Sequence, residues 1–190
     1  KCTVCPRYCV VSPGNRGYCR NKENRDGNYY TLAYGKACSM AVDPIEKKPL
    51  FHFFPGSEIF SLGTLGCNFH CKHCQNWEIA MADSASIDHG CRDITPQAAI
   101  EATKSYQCQG IAWTYNEPAI WFEYTLDSAR LAKENSLYTV YVTNGYSTPE
   151  ALDTIGPYLD AWRVDVKGFS DAFYRDLAKV PRWREILEVA

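Results

Sequence analysis

The sequence predicts an α/β fold: a partial (β/α) barrel of about four units over residues 57–190, behind a small cysteine-rich N-terminal segment, residues 1–56. Three observations predict it. After Ser57, short β-prone runs alternate with helix signals, the pattern of parallel strands joined by right-handed crossovers. A closed barrel needs roughly 30 residues per unit, so this stretch holds about four of its eight. Five of the ten cysteines, Cys2, Cys5, Cys9, Cys19 and Cys38, fall within the first 38 residues, where apolar periodicity is weak.

The elements follow in order. Pro13-Gly14 and Asn15-Arg16-Gly17 are turn chemistry, and Asp26-Gly27 before Tyr29-Tyr30-Thr31-Leu32 signals a hairpin. Asp43 to Leu50 carries two prolines and reads as an extended connector, closed by a turn at Pro55-Gly56. Glu58 to Thr64 is the first core strand and runs into a cysteine triplet. Thr95-Pro96 supplies an N-cap and first-turn proline for a helix through about residue 107. Gly110 to Tyr115 is the second strand. Pro118 opens a helix with Ile120, Tyr124, Ser128 and Leu131 on one face. Tyr138 to Thr143 is the third strand, Thr148-Pro149 starts another helix, and Ala161 to Lys167 is the fourth strand. Two short helical stretches finish the chain. Lys1 stands where an initiator Met is usual and the last helix has no stop signal, so truncation at both ends is expected.

Charge is balanced, 20 basic against 22 acidic residues, which argues against a general nucleic-acid backbone binder. No apolar run reaches membrane-spanning length and no secretory leader opens the chain, so no membrane association and a reducing, cytoplasmic setting are expected. There, clustered cysteines read as metal or cluster ligands rather than disulfides, with Cys91 and Cys108 scattered apart from them.

Cys67-Asn68-Phe69-His70-Cys71-Lys72-His73-Cys74 has the spacing CxxxCxxC. Three thiolates on one loop can hold three irons of a cubane, leaving the fourth iron open to a small molecule. The loop follows a strand's carboxyl end, where parallel α/β folds place their chemistry. A zinc site completed by His70 or His73 is the alternative, and with it a non-catalytic zinc or Fe–S interaction module.

With this motif the chain resembles the radical S-adenosylmethionine (SAM) superfamily. It is most similar to the branch of pyruvate formate-lyase activating enzymes, and within it to AmmeMemoRadiSam-system enzymes. Cys2-Thr3-Val4-Cys5-Pro6-Arg7-Tyr8-Cys9, Asp43 to Leu50, Gly63 to Asn68 and Cys74-Gln75-Asn76 carry the likeness. The resemblance implies a barrel of the radical SAM type, with a 4Fe–4S cluster on Cys67, Cys71 and Cys74 that cleaves SAM to a 5′-deoxyadenosyl radical. It also implies a reductant such as flavodoxin or ferredoxin, and suggests a partner protein receiving a glycyl radical, with a peptide, a tRNA base or a small metabolite left open as the substrate. Tyr115-Asn116-Glu117-Pro118 stands at the family's Gly-Gly-Glu motif with both glycines replaced, so Glu117 could instead be an exposed helix-start acid. His73 falls beside the expected adenine, and Gln75 and Asn76 follow the cluster loop. Thr143-Asn144-Gly145 ends the third strand. Asp165 and Lys167 match an Asp-x-Lys pattern and share one strand face, as SAM contacts or as an internal ion pair.

Cys2, Cys5, Cys9 and Cys19 form a second set, CxxC-x3-C-x9-C, whose close spacing suits zinc or another Fe–S cluster. Reduced or disulfide-bonded thiols are the alternative. Cys38 lies beyond the hairpin and reads as a packed residue, with substitution for one of the four ligands as the alternative.

Overall fold

The computed structural model describes residues 1–82 and 90–190. In the lead segment β1 (Lys22–Arg25) and β2 (Asn28–Thr31) pair antiparallel. Their two-residue turn places Asp26 at φ 50° and Gly27 at φ 92°, the left-handed pair that a tight hairpin requires. β3 (Lys36–Ala37) pairs antiparallel with β6 (Arg92–Asp93).

The expected connector from Asp43 to Leu50 starts inside a strand, which takes its first two residues. β4 (Ser39–Pro44) runs antiparallel to β5 (Glu58–Gly63), with Met40 opposite Leu62, and a 3-10 turn follows at Ile45–Lys47. The proline rule misleads here because Pro44 ends an edge strand, where its missing N–H costs no ladder bond.

The central sheet has the order β4, β5, β7 (Gly110–Trp113), β8 (Tyr138–Thr143), β9 (Ala161–Val164), and the last four are parallel. β4 and β9 are its two edges, so among the described residues the sheet is an open parallel wall rather than a closed barrel. Ile59, Phe60, Ser61 and Leu62 of β5 are all buried, as expected of a parallel strand covered on both faces. The fourth strand is shorter than its β-prone run: Asp165 donates its N–H to the Thr143 carbonyl at 2.8 Å, but Asp165 and Lys167 lie beyond the strand end.

The crossovers begin where the caps predict. Short α1 (Trp77–Ala80) follows the cysteine triplet. Thr95 Oγ1 accepts the Ala98 N–H at 3.1 Å to start α2 (Pro96–Ser105). Pro118 opens a 3-10 turn leading into α3 (Phe122–Glu134), and Thr148 caps α4 (Pro149–Ile155). α3 buries Tyr124, Ser128 and Ala129 against Leu62, Ile111, Trp113 and Tyr141 of the sheet, in a core continuous with Trp121. A second apolar cluster sits at the carboxyl ends of the strands. There Phe69, Tyr146, Tyr174, Trp183 and Ile186 surround Cys67 and Cys71. Its outer wall is α5 (Asp171–Phe173), the π-helical turn Tyr174–Ala178 and α6 (Glu185–Val189). Among the described residues no helix is long and apolar enough to cross a membrane.

Candidate active site

The cysteine triplet leaves the end of β5 through Gly66, whose φ is +91°. A side chain there would overlap the Cys19 carbonyl, so glycine serves both the turn and the close seating of the lead segment. The loop is pinned on several sides. Asn116 Nδ2 donates to the Gly66 carbonyl at 2.7 Å, and Asn68 Nδ2 to that of Tyr146 at 3.0 Å. The His70 and Lys72 N–H groups donate to Ala178 and Leu177 at 3.2 and 2.8 Å.

Cys67, Cys71 and Cys74 open onto one cavity of about 640 Å³ at the carboxyl ends of the parallel strands. The Phe69 N–H donates to Cys67 Sγ at 3.4 Å. Burial drives the Cys67 thiol well above its ordinary pKa, and the nearby Glu117 adds to this. Burial also raises Cys71, while the charge of Lys167 pulls the other way. Such thiols ionise only when a cation takes the proton's place, the chemistry of a soft-metal donor set. Three thiols beside a roomy cavity therefore fit an iron–sulfur cluster. Among the described residues no three His, Cys, Asp or Glu side chains close around a point that one ion fills; this holds for the loop triplet and the lead quartet alike.

Most of the predicted shell lines the same cavity: His73, Gln75, Asn76, Asn116, Asn144, Asp165 and Lys167. The His73 ring lies 5.6 Å from that of Phe173. Asn76 Nδ2 donates to the Tyr115 carbonyl at 2.6 Å, which leaves its oxygen for the cavity. Asn144 Nδ2 donates to Asn68 Oδ1 at 2.8 Å and stands 4.0 Å from Cys67 Sγ. Lys167 Nζ lies 3.3 Å from Asp165 Oδ2, and Arg163 pairs with the same carboxylate. The ion-pair reading of Asp165 and Lys167 thus describes this structure, and both remain on the cavity wall.

Glu117 does start the 3-10 turn at Pro118, with its carboxylate as the cap, but it is not exposed. It is fully buried and stands behind the cavity wall rather than on it. One oxygen accepts the Ala119 N–H at 3.0 Å and the Thr143 hydroxyl at 2.7 Å; the other accepts the Asn144 N–H at 2.8 Å. Burial pushes its pKa up and these donors pull it back. The backbone turns at Pro118 and folds the carboxylate inward, where it ties the end of β7 to the end of β8.

Sequence reasoning missed the opposite wall. Lys47, Lys48 and Tyr115 line the cavity around buried Asp43. Lys47 and Lys48 each reach an Asp43 oxygen at 2.6 Å, and Tyr115 Oη donates to it at 3.0 Å. Burial alone would raise the Asp43 pKa; the two lysines overcome it and hold the carboxyl well below the usual carboxylate range. The available signal was two lysines four and five residues after Asp43.

In the lead segment Cys2, Cys5, Cys9 and Cys19 gather in one region, each half-buried and within electrostatic reach of others in the set. Cys38 lies apart, hydrogen-bonded to Cys91 one step beyond the β3–β6 ladder.

Comparison with known proteins gives this geometry its class. The Radical SAM superfamily profile matches residues 62–190, and the chain belongs to that superfamily. Among individual relatives, it is 44% identical over 179 residues to the uncharacterized protein MJ0808 of Methanocaldococcus jannaschii, covering 94% of this chain and 52% of that protein. It is 25% identical over 191 residues to the uncharacterized protein MJ0674 of the same organism, covering 98% and 51%. It is 26% identical over 115 residues to MJ1632, named provisionally as a glycyl-radical enzyme activating enzyme, covering 60% and 42%. The chain spans about half the length of the first two relatives.

Proposed function

We propose that this chain is the cluster- and SAM-binding part of a radical SAM enzyme, its parallel wall forming part of a barrel of that type. The observation that carries the reading is the meeting of Cys67, Cys71 and Cys74 with Asn144, Asp165 and Lys167 in one cavity at the strands' carboxyl ends. A 4Fe–4S cluster with SAM supplies one-electron cleavage of the sulfonium, giving methionine and a 5′-deoxyadenosyl radical that takes hydrogen from a substrate.

The residues divide the remaining work. Cys67, Cys71 and Cys74 hold the cluster. Lys167 offers an ammonium to the SAM carboxylate, and Asp165 accepts from hydroxyl or amino groups. Gln75, Asn76 and Asn116 present amide groups along the same wall, and His73 provides a flat ring for the adenine. Glu117 acts from behind by fixing Asn144. Phe69, Tyr146 and Tyr174 pack the loop and keep water from its inner face.

A one-electron donor of the flavodoxin or ferredoxin class fits this chemistry, as does a reducing, cytoplasmic setting. The likeness to MJ1632 supports a protein substrate activated by glycyl-radical formation, an oxidoreductase role shared with activating enzymes. The electron paramagnetic resonance spectrum of the reduced, reconstituted protein tests the site. SAM should shift the cluster signal; a signal indifferent to saturating SAM overturns the reading.

A further inference from the structure

The lead segment carries a second set of thiols that the cluster chemistry does not use. Cys2, Cys5, Cys9 and Cys19 are drawn together by turns, not by a core. The Cys2 N–H donates to the Cys9 carbonyl at 2.9 Å, and the Tyr8 N–H to that of Cys5 at 3.0 Å, with Tyr8 in the left-handed region at φ 48°. Gly17 lies beside Cys9, where a β-carbon would make ordinary contact with Cys9 Sγ at 3.5 Å. Arg20, after Cys19, is again left-handed at φ 62°.

The segment is tied to the rest of the chain by contacts such as Asn21 Nδ2 to the Ile120 carbonyl at 3.2 Å and Thr148 Oγ1 to the Thr3 carbonyl at 2.6 Å, but it builds little core of its own. Its hairpin buries few apolar side chains, and an isolated two-stranded hairpin is marginal in water.

From this convergence we propose that Cys2, Cys5, Cys9 and Cys19 form a closed four-thiolate site for a soft metal, separate from the SAM-facing cluster. The thiols are gathered but not closed to single-ion spacing. Loading therefore either draws the two turns inward around one zinc or spans the gap with a multi-iron cluster. Both rest on the same tetrathiolate chemistry. Four protein ligands leave no open position, so the site is structural or electron-carrying and does not bind SAM.

Its position gives it a task. Cys5 packs against the apolar cluster that holds Cys67, Cys71 and Cys74. Arg7 Nε donates to the Asn68 carbonyl at 2.6 Å, and its guanidinium covers the Tyr18 ring, which stacks on His70 at 4.1 Å. A metal that fixes the lead segment thus fixes the back of the cluster loop.

The test removes the first cluster and counts what remains. The C67A/C71A/C74A protein, purified without oxygen, should retain about one zinc per chain, or iron with acid-labile sulfide in similar amount. Zinc without sulfide identifies a single-ion site, and iron with sulfide identifies a second cluster. Should the triple variant not fold, replacing Cys2, Cys5, Cys9 and Cys19 by serine in the otherwise intact protein reads the same quantity by difference. A folded triple variant with neither zinc nor iron, or a metal content unchanged by the fourfold replacement, overturns the proposal. Either result leaves the SAM-site reading standing, because that site is measured separately.

Discussion

Glu117 joins two strand ends through three donors, and its fate under substitution separates a brace from a ligand contact. In Glu117→Gln the amide NH2 must face an N–H or a hydroxyl, leaving at least one buried donor unpaired. The expected loss is about 1–3 kcal/mol of stability, read by denaturant titration of the oxygen-free protein. An unchanged midpoint would return Glu117 to the cavity wall. Lys167 is the opposite case. It is partly exposed at the cavity, so Lys167→Ala should leave iron and sulfide intact and weaken SAM binding by roughly 1.5–3 kcal/mol, tenfold or more, by equilibrium dialysis. The triplet Cys67, Cys71, Cys74 was legible because its ligand spacing is local. Glu117 was not, because Thr143 and Asn144 stand 26 and 27 residues further on and nothing local shows that the chain will turn inward at Pro118.

β4 decides the next scale. It joins the lead segment to the sheet and sets Asp43 beside Lys48, both buried. Asp43→Asn leaves Lys48 buried without its counter-charge, an expected loss of about 3–5 kcal/mol. The pH dependence has a definite sign. Because the folded pKa of Asp43 lies below its unfolded value near 3.9, its contribution is complete above that value and is lost as pH falls through the folded pKa. Acid titration below about pH 4 should therefore cost the natural protein stability that Asp43→Asn no longer has to lose. Equal acid slopes would contradict this. The four parallel strands were legible from their β-prone runs, and α2 and α4 from Thr-Pro caps. β4 was not: Pro44 and Pro49 suggest a connector, and only the partner strand β5 turns residues 39–44 into a sheet edge. Gly66 also acts at this scale. Gly66→Ala forces a side chain into both a left-handed φ and the Cys19 carbonyl, and should unseat the lead segment. Faster proteolysis within residues 1–38 is the expected readout.

Over the whole molecule, each part serves one end of the sheet. The crossovers α2 and α3 cover the wall, the lead segment backs the cluster loop, and the last two short helices close the apolar cluster around it. The repeating βα order was readable because each unit announces itself locally. That the sheet stays open was readable from the count of about four units; the antiparallel edge β4 was not, because an edge depends on what pairs with it rather than on its own residues. The central claim is that Cys67, Cys71 and Cys74 hold a cluster that cleaves SAM reductively in this cavity. Its most direct test is quantification of 5′-deoxyadenosine and methionine after anaerobic reconstitution with iron and sulfide and reduction in the presence of SAM. The account predicts that both products accumulate together and disappear in the Cys71→Ala protein. A verified 4Fe–4S cluster that releases neither product would contradict it.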